Sequence, residues 1–407
     1  MLDAIIDAYR HKKNPILYFL FDLSFLLYLI AYHVYYQDEF GHEVRLVATM
    51  LFVFLGILIS FSSWRTINRL IVWYLSFSAL GLCSMLWAKE THQIIVISFS
   101  LIRNLLVAYF LGKRIRTKQD IIIILVEYLI AVLYLDVFVG KLMVNTYTLH
   151  GLIDIRFGDN FNYNSNSIAI TNVIAVMILI NLKCISKYIK VPMMIFYVFI
   201  VLITQSKKGI LGLLIGTGLL LYIKEYNLNK IVSRFICFFA IILVLVYMTY
   251  NNPELYYSIG HRFDGLINLF TDSSNIDNST LYRAQLIMYA IELWGDNPIL
   301  GVGLNNFSVI QSIGGRDYYA HNNYVELLAD LGLIGFILFY YFPFKLALTK
   351  INSNCEIESL LKSIVITILF FDFTSVTYQD FRILLFYMLF YYVLHVRKNK
   401  QFIKGVV

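Results

Sequence analysis

The sequence is short of charge. Only 14% of its 407 residues are Asp, Glu, Lys or Arg, 59% are hydrophobic, and the mean hydropathy is +0.70. A soluble domain carries about 25% charged residues, so that class is excluded. Cysteine is scarce as well, at four. Cys83 and Cys237 are expected inside apolar spans, and Cys184 and Cys355 at or beyond their cytoplasmic ends. With none in an external loop, neither a disulfide framework nor a Cys-based metal site is expected. Short alternating strands are missing, which excludes a membrane β-barrel. No internal repeat is visible, and no cytoplasmic segment is long enough to fold alone. Met1 to Lys13 is polar and basic with no small-residue cleavage site, so it reads as the lead-in to an uncleaved first helix.

What is present is apolar runs, recurring about every 25 to 35 residues and each near the roughly 20 residues that span a bilayer. The expected fold is all-α: a single polytopic membrane bundle over residues 1–407 with about twelve transmembrane helices. The spans fall at 14–36, 43–61, 67–87, 92–112, 120–143, 164–182, 191–206, 209–224, 231–250, 322–343, 357–373 and 380–396. Placing both termini in the cytoplasm puts roughly two thirds of the 33 Lys and Arg residues on the inner side, as cytoplasmic loops require. The net charge of +7 therefore follows topology, and no nucleic-acid partner is expected.

Two outer segments are more than hairpins. Asn145 to Asn166 is Asn-rich and contains Arg156. Residues 251–321 form a large extracytoplasmic loop, the only extended polar region, long enough for short helices of its own. Ser279 to Trp294 has helical apolar spacing, Asp296-Asn297-Pro298 would end that helix, and Gly301-Val302-Gly303 permits a tight turn.

The chemistry gathers on the outer side. Lys207, Lys208, Arg262, Arg283 and Arg316 stand where exported loops normally avoid positive charge, and His321 follows at the mouth of the tenth span. Individually each has a plain explanation, snorkelling for the lysines and surface ion pairs for the arginines. Together they form a clamp for a polyanion, with an imidazole able to take a proton from a hydroxyl. Gly332 and Gly335 are expected to allow close helix packing that fixes the helix carrying His321. The outer carboxylates show neither an Asp-x-Asp pair nor metal-ligand spacing to a His, so no metal and no cofactor are expected. Asp22, Arg103, Glu127 and Asp136 lie in spans without an assigned role.

His321-Asn322, then Gly332-x-x-Gly335, resembles the signature of the O-antigen polymerase and ligase superfamily. So do Asn-Pro-Ile-Leu-Gly-Val-Gly-Leu-Asn-Asn-Phe at 297–307, Arg283 upstream, and the turn Thr204 to Gly209. The resemblance covers roughly residues 150–345. It implies a GT-C-type, metal-independent glycosyltransferase of the bacterial inner membrane, its active site facing the periplasm, with an undecaprenyl-pyrophosphate-linked glycan as donor. It implies His321 as the base, Arg283 and the cation at Lys207 as holders of the pyrophosphate, and Asn322, Gly332 and Gly335 as supports. Lys208, Arg262 and Arg156 are further candidate pyrophosphate ligands. At the turn the family often has Ser-Arg where this chain has Ser206-Lys207, which keeps the charge but loses the fork.

Two enzyme readings follow. A polymerase joins lipid-linked repeat units into a surface polysaccharide such as O-antigen, capsule or exopolysaccharide, with a chain-length regulator as candidate partner. A ligase moves the finished polymer to a different acceptor. A composition rich in Ile, Tyr, Phe, Lys and Asn suggests an AT-rich polysaccharide cluster and favours the polymerase. A flippase or transporter is the alternative of another class. Related halves and midplane ion sites are its usual marks, and the sequence shows neither.

Overall fold

The computed structural model describes residues 9, 12, 14–35, 39–60, 68–146, 156–159, 161, 163–224, 247, 251, 278–311, 318–352 and 355–398. Among them every regular element is helical. The helices are α1 (Pro15–Val34), α2 (Glu39–Ser60), α3 (Arg69–Cys83), α4 (His92–Arg114), α5 (Lys118–Thr146), α6 (Ser165–Asn181), α7 (Lys187–Ile203), α8 (Lys207–Lys224), α9 (Asn278–Asp296), α10 (Asn306–Ile310), α11 (Asn323–Leu348), α12 (Glu356–Phe371) and α13 (Phe381–Lys398). Six of the described helices are long and apolar enough to cross a membrane, and α6 and α13 are shorter apolar ones. The polytopic helical bundle expected from the apolar runs is therefore the fold. The span expected at 231–250 lies almost wholly outside the described residues, as do Arg262 and Arg316.

The two faces of a helix in this bundle follow its place. Leu46, Val47, Met50, Phe54 and Leu58 leave α2 with an exposed apolar stripe, as a lipid-facing helix requires. In α13, Phe381 and nearly every residue from Ile383 to Leu389 are buried, and a helix apolar all round belongs at the centre. It packs against α4, α5, α11 and α12, while α6 packs against α5, α7, α8 and α12. Helix ends are set locally. Pro15 occupies the first turn of α1, Asn68 caps α3 by accepting from Ile71 N–H (3.0 Å), and Asn164 caps α6.

One end of the bundle is closed by charge. Arg114, at the last turn of α4, donates Nε to Asp22 Oδ1 (2.9 Å) and Nη2 to Asp22 Oδ2 (2.7 Å), and its Nη1 reaches Asp120. Asp120 in turn accepts the backbone N–H groups of Arg116 and Thr117, both at 2.8 Å, while its own N–H donates to Thr117 Oγ1. That reciprocal cap starts α5. Lys12 Nζ sits 3.2 Å from Asp120, and Tyr9 donates to Asp22 (2.5 Å). α1, α4 and α5 are thus fastened at one point. The Arg114 side chain is 1% exposed. Replacing Arg114 with Leu would strand two buried carboxylates, and should destabilise the protein by about 3–5 kcal/mol, measured as a lower thermal transition in detergent.

Candidate functional site

The other end is organised by a break in a helix. α11 is interrupted at Gly332, whose φ of 62° and ψ of −165° are non-helical. A segment from the preceding loop fills the gap. Leu333 N–H donates to Pro298 O (2.9 Å) and Ile334 N–H to Ile299 O (3.3 Å). On the other side Val302 N–H donates to Ala329 O (3.0 Å) and Gly303 N–H to Asp330 O (2.7 Å). Backbone groups freed by the break are therefore satisfied by the loop, which a buried backbone requires. Glycine is required where the chains cross. A Cβ on Gly332 would stand 2.3 Å from Ile299 backbone atoms, and one on Gly301 would stand 2.4 Å from Asp330 backbone atoms. Close helix–helix packing was the expectation for Gly332, and a docked loop is what it accommodates. Gly335 lies in the continuing helix, against the Leu331 side chain.

Two acids of α11, one turn apart, hold the chain on either side of this crossing. The Asp330 carboxylate accepts from Asn305 N–H (2.8 Å) and Phe307 N–H (2.9 Å), fixing the start of α10. Glu326 accepts from Ala320 N–H (2.5 Å), immediately before His321. His321 itself has a left-handed φ of 55°, and its ring lies 4.0 Å from that of Tyr319. Asn322 then caps α11 by accepting from Tyr324 and Val325 N–H.

Burial, then the positive charges of Arg283 and Lys208, push the His321 imidazole down to about 3. The neutral ring is thereby favoured throughout the ordinary pH range. Lys208, in the first turn of α8, donates Nζ to Thr374 O (2.5 Å) and Ser375 Oγ (2.8 Å). Arg283 is carried on α9, whose Leu286 and Ala290 pack with Phe307, Ala320 and Ala329. Arg156 donates Nε to Thr204 O (3.1 Å) and Nη2 to Asn166 Oδ1 (3.3 Å), with Asp159 3.7 Å away. Ser206 donates to the same Asn166 oxygen (2.7 Å), so Arg156 is tied to the turn that precedes α8. The charges of Arg283 and Arg156 both reach Lys208. A cavity of about 390 Å³ opens beside this group, with Lys208, Asn166, Asn305, Ser308 and Tyr319 in its wall. His321 adjoins it through Tyr319, and Lys207 is half-buried and not part of the wall.

Residues 192–340 match the family described as O-antigen ligase. That match makes this segment similar to an O-antigen ligase domain. It bears out the resemblance to the O-antigen polymerase and ligase superfamily read from the motifs. No curated protein matches the chain. The matched segment includes Lys207, Lys208, Arg283, His321 and the whole Gly332 crossing, whereas Arg156 precedes it.

Several groups at this end were not singled out in the sequence. Asn323, next to the Asn322 cap, accepts from Thr377 and Tyr378 N–H (2.8 and 3.1 Å) and donates to Tyr340 OH (2.7 Å), which donates to Asp372 (2.9 Å). This ties the His321 turn to the loop between α12 and α13. Asp380, Arg382 and His33 also enter the cavity wall. A His-Asn-Asn run hints at Asn323, but the other three gain their place only when α1 and α13 come together.

Gly332 and Gly295 make a controlled pair, since a Cβ at Gly295 in α9 would meet nothing within 4 Å. Gly332→Ala should lose about 1–3 kcal/mol or more through strain at positive φ, together with faster proteolysis of the 297–307 segment. Gly295→Ala should stay within about 1 kcal/mol of wild type, on the stabilising side. Thermal unfolding and limited proteolysis of both variants measure the difference.

Proposed function

We propose that this protein polymerises a bacterial surface polysaccharide, transferring a polyprenyl-pyrophosphate-linked glycan to the terminal sugar hydroxyl of a lipid-linked repeat unit. The transfer takes place on the outer face of the cytoplasmic membrane. The observation that carries the reading is the convergence of Lys208, Arg283 and a neutral His321 beside a cavity, within a segment of the O-antigen ligase family.

In the proposed reaction the donor pyrophosphate lies against Lys208 and Arg283, with Arg156 adding field. His321 accepts the proton of the acceptor hydroxyl as its oxygen attacks the anomeric carbon. The glycosidic C–O bond to the phosphate breaks on the opposite face, so the configuration inverts. Undecaprenyl pyrophosphate leaves with the bonding pair, and the cations stabilise the charge that develops on it. Arg262 is proposed as a further pyrophosphate ligand from its place in the sequence alone. The residues 251–321 are proposed to cap the site from outside, and both termini to lie in the cytoplasm.

A second reading is favoured by the description of the matched family. A ligase would run the same chemistry with a different acceptor. Purified wild type and His321→Ala in liposomes, given only the undecaprenyl-pyrophosphate-linked repeat unit, separate the two. A ladder on a gel from wild type alone is the expected result, with at least a hundredfold loss in the folded variant, in the range of about 10²–10⁴ for a general base. Activity retained by His321→Ala sinks the base assignment. A silent but folded wild type sinks the polymerase and leaves the ligase.

The acid limb of the pH profile tests the same group. A base is active when unprotonated, so a lowered pKa carries activity further into acid. kcat/KM should hold from pH 7 to pH 5, where an imidazole of about 6.5 would be mostly protonated. Lys208→Ala removes one of the charges that depress His321, so the acid limb of its residual activity should move upward in pH.

A further inference from the structure

Most of the described residues in the cavity wall belong to helices outside the matched segment. Among the described lining residues, Lys208, Asn305, Ser308, Tyr319 and Glu326 fall within 192–340. The rest comes from α1, α4, α5, α6 and the α12–α13 junction. Its volume of about 390 Å³ falls in the range of ligand sites, roughly 300–1,000 Å³.

The far wall is polar in a way that suits neither a prenyl tail nor a phosphate. Tyr32, His33, Asn164, Gln379, Asp380 and Arg382 all contribute to it. Asp380 takes up the Arg382 fork, accepting Nε at 2.9 Å on one oxygen and Nη2 at 2.5 Å on the other. Nη1 donates to Thr171 Oγ1 (3.1 Å), and Nη2 donates also to Ser167 Oγ (2.8 Å). Arg382 is thus neutralised and immobilised, unlike Lys208, whose partners are a carbonyl and a hydroxyl. A pair of this kind orders hydroxyl groups rather than attracting a polyanion.

His33 is the group left open. It is 4% exposed, and its Nδ1 lies 2.7 Å from Leu29 O. A carbonyl only accepts, so Nδ1 carries the hydrogen and Nε2 of the neutral ring is an acceptor. That Nε2 is buried without a partner among the described residues. Buried acceptors are normally satisfied, and an orphan in a cavity wall marks a place for a ligand donor.

We propose that the wall formed by His33 and the Asp380–Arg382 pair is a saccharide subsite, in which His33 Nε2 accepts a hydroxyl hydrogen of the substrate's sugar. This rests on the reading of the substrate as a lipid-linked glycan. Sugar choice then resides in His33 of α1 and in Asp380 and Arg382 at the start of α13, while the pyrophosphate is held at Lys208. A site built to pair a hydroxyl discriminates strongly against a ligand lacking it.

The test uses the full chain in lipid nanodiscs with two probes, glycan-free undecaprenyl pyrophosphate and the lipid-linked repeat unit extracted from the producing strain. His33→Phe keeps the ring and removes the acceptor, while His33→Gln offers an amide oxygen near the same place. The expected result is a loss of about tenfold in affinity of His33→Phe for the glycan-bearing probe, unchanged affinity for the glycan-free one, and recovery in His33→Gln. If wild type binds both probes and His33→Phe weakens both equally or neither, the saccharide subsite is overturned and the proposed function stands. If wild type binds neither probe, the lipid-linked substrate itself is overturned, and the subsite with it.

Discussion

The turn that carries His321 depends on a loop docking into an interrupted helix. Gly332 opens α11, and the 297–305 segment supplies the carbonyls and N–H groups that the missing helical turn would have used. An unpaired buried backbone group costs about 1–3 kcal/mol in a protein interior, and more in hydrocarbon. The break is therefore stable only with the loop in place, and the loop is placed only because the break exists. Neither piece makes sense alone. Asp330 extends the lock by gripping Asn305 and Phe307, and α9 packs on Phe307, Ala320 and Ala329. Arg283 is held by that chain of contacts, at one remove from the helix that presents His321.

The two ends of the bundle treat charge in opposite ways. At the Arg114 end, guanidinium and carboxylates are matched in a closed set that fastens three helices. At the His321 end, Lys208, Arg283 and Arg156 are like charges whose fields overlap. Holding cations together in a partly buried place is costly, and the surrounding structure relieves it in two ways. Lys208 is given two oxygen acceptors, and His321 surrenders its charge. The residual positive field is what a bound anion would neutralise. An imidazole without a charge is also the form that can act as a base, so a single electrostatic arrangement serves binding and proton transfer in the proposed reaction.

The bundle was legible in the sequence because bilayer length leaves its mark on apolar runs, and the turn between α7 and α8 was legible because two adjacent lysines interrupt the apolar run there. Other features depend on geometry that no linear pattern carries. Gly332 and Gly335 read as a packing stripe, yet Gly332 has a positive φ that only the docked loop explains. Lys207 and Lys208 are equivalent in sequence. On a helix adjacent residues point about 100° apart, so only one of them can face the cavity, and that one is Lys208. Arg382 opens the last span, where a basic residue reads as an interfacial anchor. Its meaning comes from Asp380 two residues earlier and from Ser167 and Thr171 on α6.

The distribution of these features along the chain separates two tasks. The segment that matches the O-antigen ligase family holds His321, Lys208, Arg283 and the helix break, the groups to which the proposed reaction gives proton transfer and pyrophosphate binding. The helices outside it enclose the cavity with hydroxyls, amides and a neutralised ion pair, groups that distinguish one polyol from another and do little for a pyrophosphate. The Gly332 crossing and the His33 wall share no hydrogen bond among those that hold either one. Two contacts couple the His321 end to the α12–α13 junction: Asn323 accepts from Thr377 and Tyr378, and Lys208 donates to Thr374 and Ser375. A sugar seated against Asp380 and Arg382 would press on that junction. In the proposed reaction, the loop that contributes to the wall therefore also bears on where His321 sits.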